Sequence, residues 1–345
     1  MSQRRPTAQD VAKRAGASRS AVSMVMNGNA DGNVAPDMQE RIRSAAAELE
    51  YTPNPIASGL RRQRSQMIGI VTDEAASSPF AGRMLAGASK AASERGYLTV
   101  IADAGAPNAD PSSFIDELRR RRVDGLLLAT QRLRTVDVPD GLRLQPGILT
   151  NCRDRLDSFP SIIPDEIRGG REAAEHLIGL GHRRISWIGG DDDVDAAPAR
   201  IAGLQAALAS AGLPAAELYS GDWDIADGYR GAGRIFGRPA DEWPDAVFCA
   251  CDRVAVGVLL YAGAHGISVP GDVSVMGYDD QRHLADATVP GITTMSLPHE
   301  AMGREAARRV IDELEGAPAA DAATTLLQCP LVVRASTAPR TARAA

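Results

Sequence analysis

Cysteine is scarce in this chain. Its four residues, Cys152, Cys249, Cys251 and Cys329, have neither the density of a disulfide-stapled secreted domain nor a C-x-x-C spacing suited to zinc or redox work. Cys249 and Cys251 sit in the apolar run VFCACD, which reads as a buried strand where a thiol acts as a small hydrophobe, so no metal is expected. Long apolar runs are also missing. No segment approaches the roughly 18 residues a membrane helix needs, and MSQRRPTAQD carries two arginines with no apolar stretch behind them, so neither a membrane span nor a secretory signal is expected and the chain reads as cytoplasmic. Catalytic signatures are absent too: there is no G-x-S-x-G, P-loop, G-x-G-x-x-G or H-E-x-x-H, and HEAMG at His299 lacks a second histidine. The run DDDVD from Asp191 mimics the start of a calcium loop, yet Ala196 stands where the turn needs glycine and no glutamate closes the site. These absences exclude an enzyme, a cofactor and a metal site from the expectation.

What is present points to several domains. With 345 residues and 44% hydrophobic content the chain exceeds one average domain, so two or three are expected. The net charge of -6 is unevenly distributed: basic residues outnumber acidic ones among the first 64 residues, and the rest of the chain is acidic. A small basic head on an acidic body suggests that only the head meets phosphate.

In that head, the Thr7 hydroxyl can cap a helix AQDVAKRA with Asp10 in its first turn, and Gly16 breaks it. Ser18 can cap a second helix, SRSAVSMVMN, whose apolar stripe is Ala21, Val22 and Val25. A third, from about Pro36 to Glu50, would bury Ile42, Ala46 and Leu49. Three short helices with a glycine turn between the first two fit a helix-turn-helix domain. From Met67 onward, short aliphatic runs such as MIGIVT, GLLLAT, AVFCAC and VSVMGY alternate with helical stretches such as GGREAAEHLIGLG and ARIAGLQAALASAG. That alternation predicts parallel sheets covered on both faces, and its length predicts two similar lobes with a ligand cleft between them.

Four stretches resemble the LacI/GalR family of ligand-responsive repressors: TAQDVAKRAGASRSAVSMVMNG, ELEYTPNPIASGLRRQRSQMIGIV, VDGLLLAT with PDEIRGGREAAEHLIGLGHRRISWIGG, and the group GDWDIADGY, DAVFCACDRVAVGVL and VSVMGYDD. The resemblance implies an all-α helix-turn-helix head (1–52), a hinge helix and linker (53–65), and an α/β two-lobed periplasmic-binding-protein-like sensor (66–338) with two doubly wound parallel sheets. The expected lobe boundaries are about 66–160 with 291–322 for the first lobe, and 161–290 with 323–338 for the second, leaving 339–345 as a tail. It also implies a homodimer on palindromic operator DNA, no membrane partner, and a small-molecule effector that is sugar-like or, as an alternative, nucleoside-like. An exported solute-binding protein would share the lobes and lack the head.

The matching positions imply base contacts from Arg19, Ser20 and Met24, and phosphate contacts from Thr7, Ser18, Ser23, Asn27 and Arg61. Leu60 matches a residue that wedges into the minor groove from a hinge helix begun by Asn54 and Pro55; seven residues with Gly59 among them are too few to stay helical alone. For the effector, the matching positions are Phe80, Asp154, Arg200, Trp223, Cys251, Asp252 and Asp279, with Asn151 and Asp165 as lesser candidates. Three features depart from the family pattern: Met24 replaces a polar residue, Cys251 replaces an asparagine that often binds sugar hydroxyls, and NGNADGNVAP is about two residues long for its place, with Ala35 where a capping serine is common. A weaker start to the third helix is expected.

Overall fold

The computed structural model describes residues 6–52, 64–74, 81–106, 109–190 and 194–340. They form two compact units, Met1–Gln66 and Met67–Ala345.

The first unit holds α1 (Ala8–Ala15), α2 (Arg19–Met26) and α3 (Pro36–Glu48). Thr7 and Asp10 make a reciprocal capping box: the Thr7 amide donates to the Asp10 carboxylate at 2.9 Å, and the Asp10 amide donates to the Thr7 hydroxyl at 3.4 Å. Gly16 ends α1 at φ 64, a backbone conformation that costs glycine little. The Arg41 guanidinium donates to the Ala15 carbonyl at 2.7 Å, which satisfies one of the carbonyls a helix end leaves open. Val11, Ala15, Val22, Val25, Ile42 and Ala46 close a small core, while Leu49 packs only partly buried at its edge. Ala35 offers α3 no side-chain cap, so Pro36 alone sets its first turn.

The second unit contains two six-stranded sheets. The first combines β1 (Met67–Thr72), β2 (Leu98–Asp103), β3 (Gly125–Val136), β4 (Gly147–Asp154), β5 (Ser161–Pro164) and β11 (Thr324–Leu327), in the order β11-β5-β4-β3-β1-β2. The second combines β6 (Ile185–Ile188), β7 (Glu217–Tyr219), β8 (Ala246–Cys249), β9 (Ser274–Asp279), β10 (Thr293–Ser296) and β12 (Leu331–Val332), in the order β12-β10-β9-β8-β6-β7. The two orders are equivalent, and every pairing is parallel except β10 with β12. The doubly wound architecture occurs twice. The expected lobe boundaries need correction, however: β5 and β11 belong to the first sheet and β10 to the second. These strands have four residues each and adjoin the points where the chain passes between lobes; hydropathy marks such a run as buried without saying in which sheet.

The helices around the sheets are α4 (Ala81–Glu94), α5 (Ser112–Arg120), α6 (Glu166–Gly179), α7 (Ala196–Ser210), α8 (Ile225–Phe236), α9 (Asp252–Ala264) and α10 (His299–Leu314). Three pairs touch backbone to backbone through reciprocal glycines: Gly87 on α4 meets Glu300 while Gly303 on α10 meets Met84, Gly170 on α6 meets Arg200 while Gly203 on α7 meets Ile167, and Gly228 on α8 meets Val254 while Gly257 on α9 meets Ile225. A β-carbon at any of the six would overlap the facing carbonyl. The second-lobe core centres on Trp187, edge-on to Phe248 at 5.0 Å, with its indole N–H donated to the Gly189 carbonyl at 2.7 Å.

Candidate functional site

In the first unit, Arg19 and Ser20 are exposed on the opening turn of α2, and Met24 lies half-buried one turn along. Ser18 caps the helix by accepting the Ala21 amide at 3.1 Å. Two further residues expected at phosphates also bond within the fold. The Thr7 hydroxyl donates to Asp10 at 2.7 Å, and the Asn27 side-chain amide donates to the Ser23 carbonyl at 2.6 Å. Leu60 and Arg61 lie outside the described residues.

In the second unit, the register of β3 on β4 shifts between Ala129 and Arg134, which throws Gln131, Arg132 and Leu133 into the space between the lobes. Asn151, held at φ 58, fixes this bulge by donating its side-chain amide to the Thr130 and Gln131 carbonyls at 2.9 and 3.2 Å. Asp73 accepts the Gln131 amide at 2.8 Å and pairs with Arg134 at 3.0 Å. Opposite, α7 carries Arg200, only 2% exposed. Its guanidinium donates twice to Glu166 (2.9 and 2.8 Å) and once to the Ala250 carbonyl (2.5 Å), lies 3.5 Å from Asp279, and stacks over the Tyr278 ring at 3.6 Å. The Gly170 crossing brings the α6 and α7 backbones together at this residue, so packing and hydrogen bonding fix Arg200 jointly.

These elements enclose a cavity of about 260 Å³, lined from the first lobe by Glu74, Gln131, Arg132, Leu133 and Asn151 and from the second by Glu166, Arg200, Trp223, Cys251, Arg253 and Asp279, with His299 at the start of α10. Asp195 joins the lobes beside it, accepting from the Thr135 hydroxyl at 3.0 Å and from Arg153 at 3.4 Å. Burial pushes the Asp279 carboxyl well above its ordinary range, with Arg200 opposing. Burial likewise depresses His299 to about 3, so this imidazole is neutral, and raises the Cys251 thiol to about 12, so it is no thiolate nucleophile.

Of the expected effector residues, the structure brings Arg200, Trp223, Cys251 and Asp279 together, with Asn151 facing them. Two expectations are corrected. Asp154 does not line the cavity: it is buried, accepts the Ser158 hydroxyl at 2.7 Å and pairs with Arg143 at 3.3 Å, stabilising the turn after β4. Asp252 is wholly buried behind the wall, accepting from the Thr294 hydroxyl and the Gln281 amide, each at 2.7 Å. Its place in the first turn of α9 points it at the backbone after β9 rather than at the cleft. Asp165 caps α6 through the Arg168 amide at 3.1 Å, and Phe80 lies outside the described residues. Asp191, Asp192 and Asp193 also lie outside them; among the described residues no acidic, histidine or cysteine cluster could hold a metal. The lining residues missed from sequence include Glu74, Gln131, Arg132, Leu133, Glu166 and Arg253. No spacing signals that Glu166, next to a capping aspartate, reaches an arginine 34 positions on.

Residues 7–54 match the model of bacterial regulatory proteins, lacI family, and residues 174–337 that of a periplasmic binding protein-like domain. The chain is 34% identical to the HTH-type transcriptional regulator CelR of Thermobifida fusca, over 96% of this chain and 98% of the relative. It is 29% identical to the HTH-type transcriptional repressor CytR of Escherichia coli (strain K12), over 96% of both. Among solved structures, the lac repressor dimer bound to operator and the anti-inducer ONPF superposes with a TM-score of 0.81 at 26% identity, covering 97% of this chain and all of that one. A complex of transcriptional regulator CelR with cellobiose gives a TM-score of 0.66 at 32% identity, covering 96% of this chain and all of that one. Among the described residues no helix is long and apolar enough to cross a membrane.

Proposed function

The chain belongs to the lacI family of bacterial regulatory proteins and is a DNA-binding transcriptional regulator; on that premise we propose that a sugar-like effector bound between its lobes sets the affinity of a homodimer for a palindromic operator. The observation that carries the effector reading is the Arg200, Glu166 and Asp279 cluster at the cavity floor, beside the half-buried ring of Trp223. Fixed donors and acceptors at the edge of a ring, with an aromatic face against its flat side, suit a polyhydroxylated ring. Cys251, a weak donor where an amide would serve a sugar hydroxyl, favours a nucleoside as the second reading.

For the DNA, Arg19 and Ser20 are the proposed base readers, Met24 packs against a thymine methyl, and Ser18 contacts phosphate. Ser23 and Asn27 hold the C-terminal end of α2, and Thr7 its neighbour α1. Leu60 and Arg61 are proposed for the minor groove and its backbone on the resemblance alone. Dimerisation is supported by apolar side chains left exposed in two places: Leu98 and Ile101 on the edge strand β2, and Ile225, Tyr229 and Leu260 on α8 and α9. An effector that alters closure of the lobes alters how the two first lobes, and so the two hinges, are spaced; couplings of about 1–3 kcal/mol change operator affinity roughly 5- to 150-fold. A thermal-shift screen of sugars and nucleosides tests this reading. A hit should lose its shift in Trp223→Ala and change operator binding in the full chain, and a hit that does neither refutes it.

A further inference from the structure

Two guanidinium groups at this cavity have no assigned task. Arg132 reaches it from the β3 bulge of the first lobe and Arg253 from the first turn of α9 in the second. Both residues are exposed, and neither forms an ion pair or side-chain hydrogen bond with any described residue. That is unusual here, because Arg134, Arg143, Arg153 and Arg200 around them are all paired with carboxylates. On the floor, the Arg200 charge is opposed by Glu166 and Asp279, so the floor carries no surplus positive charge for an anion. Among the described residues, Glu74 is the one other acid that lines the cavity.

We infer that the effector carries an anionic substituent, a phosphate or a carboxylate, which Arg132 and Arg253 grip from opposite lobes while the floor holds its hydroxyl-bearing ring. A guanidinium presents a planar fork of donors that matches either oxyanion. Because one arginine comes from each lobe, the anion also bridges them, so its charge contributes directly to closure. This inference rests on the cleft being the effector site.

The test compares neutral compounds with their anionic counterparts on the full chain: glucose, glucuronate and glucose 6-phosphate, cellobiose and cellobionate, adenosine and its 5′-monophosphate. Affinity is measured by calorimetry at constant ionic strength. At least one anionic compound should bind about tenfold tighter than its neutral partner, the worth of about one charge-assisted contact. Arg132→Ala and Arg253→Ala should each remove most of that advantage, lowering the affinity of the anionic compound about tenfold more than that of its neutral partner; comparing uronate with phosphate identifies the oxyanion. Equal affinities within every set, an advantage that survives both substitutions, or no binding by any anionic compound overturns the inference. Trp223→Ala separates the two levels: if neutral compounds bind and this variant abolishes their binding while no anion is preferred, the cleft reading stands and the rim inference falls.

Discussion

Replacing Arg200 by methionine keeps much of the side chain's bulk and removes its positive charge. Glu166 and Asp279 would then be buried without a counter-ion, since Arg200 is the cation that both face. Removing one partner of a buried pair typically costs about 3–5 kcal/mol. With an unfolding entropy of roughly 2.1 cal/mol/K per residue, a unit of roughly 280 residues has about 0.6 kcal/mol/K, so the penalty corresponds to a Tm lowered by about 5–8 °C. Calorimetric melts of the full chain at pH 7 measure it directly. Adding Glu166→Gln removes one stranded charge and should restore part of the loss. The sign of the pH dependence follows from Asp279: burial already holds its carboxyl above the ordinary range with Arg200 opposing, so removing the arginine raises it further and the penalty grows as pH rises. A Tm drop under about 2 °C, or a double variant less stable than Arg200→Met alone, would refute the reasoning.

Further outcomes follow from other residues. Burial raises the Asp252 carboxyl from 3.8 to about 7 against its hydrogen bonds from Thr294 and Gln281, so its contribution to stability is full below about pH 4 and lost as pH rises towards 7; the difference between wild-type and Asp252→Asn stability curves should show that slope, and a flat difference rejects it. Gly203→Ala places a methyl group on the Ile167 carbonyl and should destabilise the second unit by about 1–3 kcal/mol while weakening any cleft ligand, both visible in one thermal titration. Arg19→Ala should cost about 1–3 kcal/mol of operator discrimination in gel-shift titrations and little on random DNA. Leu60→Ala should weaken operator binding far more than non-specific binding, whereas equal losses would remove the wedge.

The repeated pattern of strands and helices was legible because buried parallel strands such as MIGIVT and AVFCAC are continuous apolar runs, and α1 and α2 because Thr7, Gly16 and Ser18 mark their ends chemically. The sheet that takes Ser161–Pro164, Thr293–Ser296 and Thr324–Leu327 is not legible in the sequence, since it is chosen by where the chain crosses rather than by composition. In the cleft, the expected Arg200, Trp223, Cys251 and Asp279 all converge. Asp252 and Asp154 misled because a carboxylate beside a cleft and one within it look alike in sequence, and only the direction of the side chain tells them apart. Arg132 was invisible for a different reason: it faces the cavity only because β3 slips its register.

The first lobe is completed late. Its sheet is covered by Met302, Ala306, Val310 and Ile311 of α10, and β11 pairs with β5, although both elements follow all of the second lobe but its last strand in the chain. During synthesis, the apolar underside formed by Ile68, Leu127 and Ile148 must therefore wait until most of the second lobe has been made. At about 5–20 residues per second the wait is on the order of 10–30 s. A nascent first lobe is thus the stage at which this chain is most exposed to aggregation and most in need of a chaperone.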